Sequence, residues 1–108
     1  MLGKPRFSYE MRIKIHKAYR DVVAICDSEL IGKKFEQGKF QLDIKENFFN
    51  GQEFNKEEAL KLMKDLSKED VTFNIIGKES TETALKAEII KKQGIKEIQG
   101  IPFALILI

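Results

Sequence analysis

Apolar residues fall on alternate positions over residues 9–15, at Tyr9, Met11, Ile13 and Ile15, with Glu10, Arg12 and Lys14 between them. A period of two with one polar side predicts a half-buried strand that leaves Arg12, Lys14 and His16 facing solvent. The run Val22, Val23, Ala24, Ile25, Cys26 is apolar at every position, which predicts an interior strand covered on both faces. The short connection between these two strands predicts an antiparallel hairpin. Alternation returns at Phe40, Leu42 and Ile44, a third strand that places Tyr9 and Phe40 on the buried parity. Residues 25–38 lie between the second and third strands and read as a turn or a single helical turn. There Asp27 and Ser28 cap, Leu30 and Ile31 anchor, and Gly32 ends the turn in a left-handed conformation. Gly38 then resets the chain for the third strand.

Residues 47–51, closed by Asn50-Gly51, read as a turn. The period then changes to that of a helix. Asn55 and Glu58 make a capping box, and Ala59, Leu60, Met63 and Leu66 share one stripe. Residues 71–76 are β-branched and aromatic enough for a fourth strand, ended by Gly77. A second helix is expected over residues 80–93, capped by Ser80 or Thr81, with Lys91 and Lys92 in its last turn and Gly94 as its stop. After a kink at Gly100, Ile101 and Pro102 the sequence is apolar to Ile108, a strand that needs cover on both faces or pairs with another chain. The expected fold class is α+β, with one mixed sheet of about five strands. Its N-terminal strands form the antiparallel hairpin, and two helices link the later strands. Residues 1–8 are expected to be a loose leader and residues 9–108 one globular domain.

Composition changes this picture in two places. The charge is rich in Lys and Glu, as on thermophile surfaces laced with ion pairs, and one cysteine leaves no internal disulfide. The absence of an apolar run long enough for a membrane helix, and of a signal-peptide pattern, leads to the expectation of a cytoplasmic protein with no membrane partner. The net charge of +2 is too small to argue for nucleic acid, but it is unevenly placed. Residues 1–20 hold six Lys or Arg against the single acid Glu10.

The residues Cys26, Asp27, Glu29, Leu30, Gly32, Phe35 and Gly38, followed by Phe40, resemble the signature of an archaeal family known as domain of unknown function 424. Asn74 and Gly77, the helix after them, and Gly100 with Pro102 are similar to that family's later signatures. That pattern commonly has a His after the proline, where this chain carries Phe103. The resemblance spans nearly the whole chain and implies an archaeal, cytosolic, single-domain protein with no assigned reaction.

Three candidate surfaces follow. The basic set Arg12, Lys14, His16, Lys17, Arg20, Lys33 and Lys34 is the main one, because phosphate backbones are neutralised by such clusters. It points to a non-enzymatic module contacting RNA or a ribonucleoprotein. The alternative is a small-anion or phosphate site at Gly77, Lys78, Ser80 and Thr81, possessed by a binding protein or an enzyme. A helix start there would offer free N–H groups, a cation and two hydroxyls. The third surface is the apolar C-terminal strand, which could pair with a second copy. His16 and Cys26 are too few for a structural zinc site, so neither metal nor cofactor is expected, and no catalytic set stands out. Cys26 reads as a small buried hydrophobe. Asp27 and Glu29 read as capping residues, not as an acid–base pair.

Overall fold

The computed structural model describes residues 10–107; the expected leader, Tyr9 and Ile108 lie outside the described residues. The elements in chain order are β1 (Met11–His16), β2 (Asp21–Asp27), β3 (Lys34–Gln37), β4 (Phe40–Asp43), α1 (Glu46–Phe49), β5 (Gln52–Phe54), α2 (Lys56–Leu66), β6 (Val71–Ile76), α3 (Lys78–Lys86), β7 (Lys96–Ile98) and β8 (Ile101–Leu107). The fold class is α+β. Six strands form one mixed sheet in the order β5-β1-β2-β6-β8-β7, and β3 and β4 form a separate two-stranded sheet. Within the large sheet only β2 and β6 run parallel; β1–β2, β1–β5, β6–β8 and β7–β8 are antiparallel.

The sheet is covered on both faces by two distinct apolar layers. On one, Met11, Ile13, Val23, Ile25, Phe73 and Ile75 pack under α2 and α3, whose Ala59, Met63 and Ala84 close the layer. On the other, Ala24, Cys26 and Ile76 meet Leu30, Leu42, Ile44 and Phe49 from the β3–β4 hairpin, the short α1 and the segment around them. This explains why β2 is apolar at every position. Alternation on β1 holds for Met11 and Ile13, which pack under the helices, whereas Ile15 at the end of the strand is exposed.

Several expectations change. The third expected strand is not part of the large sheet; its Phe35–Leu42 and Gln37–Phe40 pairings make it the return arm of a hairpin with β3. The parallel neighbour of β6 in the large sheet is β2. Residues 46–54 are not only a turn but a helical turn followed by β5, which Gly51 lets lie on β1. A Cβ on Gly51 would stand 2.2 Å from the Ile13 carbonyl oxygen. The second long helix begins at Lys78, not Ser80, and ends at Lys86; Gly94 lies in a separate 3₁₀ turn. The expected capping box on α2 is present, with Asn55 accepting from the Glu58 amide and Glu58 from the Asn55 amide. The C-terminal strand lies inside the sheet, with β6 on one side and the short β7 on the other.

Candidate functional sites

The helix start expected to bind an anion already holds one. Asp27, at the end of β2, aims its carboxylate across the parallel pair at the first turn of α3. It accepts from the backbone amides of Glu79 at 3.1 Å and Ser80 at 2.8 Å, and from Ser80 Oγ at 2.7 Å. Asp27 is buried, as are Ser80 and Thr81. The Thr81 hydroxyl donates backwards to the Gly77 carbonyl at 2.9 Å, so neither hydroxyl faces a ligand. Lys78 alone of that set is exposed. Asp27 does not use its side chain to cap the 3₁₀ turn of Ser28–Leu30, the role expected from sequence. The negative end of the bargain at α3 is thus met inside the protein, where a carboxylate at a helix N-terminus is favoured by the aligned peptide dipoles. Burial raises the Asp27 carboxyl above its ordinary value, and the hydrogen bonds from Ser80 and the two amides partly offset this.

Gly77 makes the junction possible. Its φ of +115° is a conformation that side chains resist, and a Cβ there would stand 2.3 Å from Asp27 Cγ. Its amide donates to the Pro102 carbonyl at 2.8 Å, tying β8 into the same corner. Beside it, Lys56 Nζ lies 2.8 Å from Glu79 and 3.7 Å from Glu10, which ties the start of α2 to the start of α3. Desolvation raises the Glu10 carboxyl, with Lys56 lowering it and Glu79 raising it further.

The basic residues do not form one free face. Arg12, Lys14 and His16 do share a side of β1, as alternation requires, but that side lies under α1 and the turn after it. Arg12 bonds Asn50 and, at 2.7 Å, Glu53. Lys14 Nζ donates to the Asn47 carbonyl at 2.8 Å. His16 Nε2 lies 2.8 Å from the Phe48 carbonyl and its ring stacks on Phe48 at 4.4 Å, so it does not project into solvent as expected. Lys17 pairs with Asp21 at 3.1 Å, and Arg20 with Asp70. Lys17, Asp21 and Asp70 of these pairs line an open groove of 340 Å³, together with Ile15, Leu66 and Val71 and the acids Asp65 and Glu69. Lys34 stands 3.9 Å from Glu36 across a loose, exposed pair. Lys33 is exposed, and no ion pair to it is found among the described residues.

Sequence reasoning placed Phe40 inside; it is 71% exposed. Phe40 does share the hairpin face of the buried Leu42, but at the hairpin tip little among the described residues covers its ring. Its tip is held by Gln99, whose amide donates to Gln37 Oε1 at 2.8 Å. The Gly38-Lys39 turn between Phe35 and Leu42 was the signal for this hairpin.

Cys26 is wholly buried, and burial, aided by Asp27, pushes its thiol up to about 12. It should therefore ignore a disulfide reagent at about pH 8 in the folded protein and react only through unfolding. Colour development that follows the urea-unfolded fraction is the expected result; fast labelling without urea would contradict it.

A model of the family described as "Protein of unknown function (DUF424)" matches residues 15–108. The chain belongs to the DUF424 family. A solved relative in fold is the crystal structure of an uncharacterized conserved protein from Methanopyrus kandleri, with a TM-score of 0.75 and 24% identity over 90% of this chain and 91% of that one. No curated protein matches. Among the described residues no three His, Cys, Asp or Glu side chains are grouped to hold a metal, and no helix is long and apolar enough to cross a membrane. Several of the residues on which the sequence resemblance rests have structural duties in this DUF424 chain. Asp27 and Gly77 build the β2–α3 junction with Pro102 against it, and Gly32, Gly38 and Gly100 take positive φ in turns. Cys26 fills the second apolar layer, and Asn74 sits on the same sheet face opposite Leu105.

Proposed function

We propose that this DUF424 protein is a non-enzymatic binding module that contacts single-stranded RNA, alone or within a ribonucleoprotein, through the β3–β4 hairpin instead of the β1 face. The observation that carries this reading is the exposed ring of Phe40 at the tip of a lysine-bearing hairpin. Base stacking on an exposed aromatic is tolerant of sequence, and nearby lysines track the backbone. Lys39 adjoins Phe40, Lys33 and Lys45 flank the hairpin base, and all three are exposed. Lys34 adds a fourth cation whose partner, at 3.9 Å, is loosely held. Exposed pairs such as Lys17–Asp21 and Arg20–Asp70 are weak enough to be exchanged for phosphate, but the acids beside them make that end of β1 a poor approach for RNA. The small-anion reading requires a ligand to displace Asp27 from α3, and nothing in the site favours it.

Filter binding of a short single-stranded RNA tests the reading. Neutralising three to four phosphates predicts a log–log salt slope of roughly −2 to −3 for a single strand. Phe40→Ala should weaken binding about tenfold, the loss of one stacked base, and leave the slope unchanged. Lys39→Glu should flatten the slope. Absence of binding at about 50 mM salt, or equal binding by Phe40→Ala, ends the proposal.

A further inference from the structure

The sheet carries a step at one edge. β7 pairs only with residues 101–103 of β8, through Ile98↔Ile101, Glu97↔Pro102 and Lys96↔Phe103. On its other side β8 pairs with β6 from Phe103 to Leu107. Residues 104–107 therefore present one edge to which no strand among the described residues is bonded. Natural sheets blunt such edges with charge, and the two outer strands here do so, with exposed Glu53 on β5 and exposed Lys96 and Glu97 on β7. The open length of β8 has no charged residue, and Leu105 on it is 66% exposed.

We infer that this edge is where a second copy of the chain adds, β8 against β8, antiparallel about a two-fold axis. Three features select a copy of itself over another partner. An isologous contact sets each patch against itself, so a charged patch would repel, and this one has no charged side chain from Gln99 to Leu107. The half-buried positions beside it on β6, Thr72 opposite Leu107 and Asn74 opposite Leu105, are neutral as well. The step also has the shape of the strand that makes it. A two-fold perpendicular to the sheet must pass through a residue facing its own equivalent, because paired residues of antiparallel strands share a face. With the axis at Ile106, Leu105 lies opposite Leu107 of the copy, and this paired stretch, residues 105–107, lies clear of the Lys96–Phe103 pair of β7. With the axis at Leu105, the copy would collide with β7 at Phe103, where Lys96 already pairs. The product is one continuous twelve-stranded sheet in which each β8 fills the step of the other.

This inference uses a different strand from the hairpin and stands whether or not RNA binds there. Sedimentation equilibrium of the full chain from about 5 to 500 μM is the test, the range in which a small strand-addition interface associates. The expected result is a mass rising from 12.5 kDa to twice that value, with protection of the Leu105 and Leu107 amides from hydrogen exchange rising in parallel. Leu105→Lys, at an exposed position that does not threaten the fold, should weaken association at least tenfold and return those amides to fast exchange. A monomer throughout overturns the inference. So does a dimer that Leu105→Lys leaves intact, or protection that does not depend on concentration, which would mean the chain covers its own edge.

Discussion

Gly77→Ala is expected to lower unfolding free energy by about 3–4 kcal/mol, the largest single loss among conservative changes outside the apolar layers. Two causes add. A side chain at φ +115° is strained whatever surrounds it, and the new Cβ would stand 2.3 Å from Asp27 Cγ with both carboxylate oxygens within 2.6 Å. The carboxylate must move, and moving it releases the α3 amides it satisfies. The causes separate in a double-mutant cycle, since in an Asp27→Ala background only the backbone strain of about 1–3 kcal/mol remains. Urea unfolding of the four proteins measures it. Additive losses would mean that the two residues do not share a corner.

Asp27→Ala itself should cost about 2–4 kcal/mol, because it leaves two backbone amides and the Ser80 hydroxyl without their acceptor in a buried place. Removing a buried charge returns part of that cost, which keeps the figure below three full unmade bonds. Asp27→Asn retains an acceptor and should lose less. The pH dependence has an unusual sign. Burial holds the folded carboxyl above its ordinary value of 3.8, so the folded state takes up the proton before the unfolded chain does. The ionised group then subtracts from stability at neutral pH, and that subtraction fades as pH falls through the folded pKa towards 3.8. The advantage of the parent over Asp27→Ala should widen over that window and stay constant below it. A narrowing would show that the three hydrogen bonds and the helix dipole outweigh burial.

These two residues also show how a structural corner can imitate a ligand site. Asp27 and Gly77 are 50 positions apart in sequence and meet only because β2 and β6 run parallel side by side. Their chemistry, an acid and a helix start, resembles a ligand site when read along the chain. In three dimensions each satisfies the other. The surfaces left without cover among the described residues are the Phe40 hairpin tip and the open length of β8, on which the two proposals rest.

Local patterns determined the elements whose signals are short-range. The β1–β2 hairpin, the capping box of Asn55 and Glu58, the strand over residues 71–76 and the burial of Cys26 all follow from period, cap chemistry or unbroken apolarity. The excess of Lys and Arg in residues 1–20 was equally plain, but charge along a chain does not disclose its partners. Glu53 and Asp70, which pair with Arg12 and Arg20, lie 41 and 50 residues away. Tertiary structure alone decided which acids met which bases, because ion pairs form by proximity in space. It also decided that β2, not the strand near Phe40, would lie beside β6, that a β2 carboxylate would cap α3, and that Phe40 would stand exposed at a hairpin tip. Strands three residues long, such as β5 and β7, are too short to carry a period, so their places came from the sheet that recruits them.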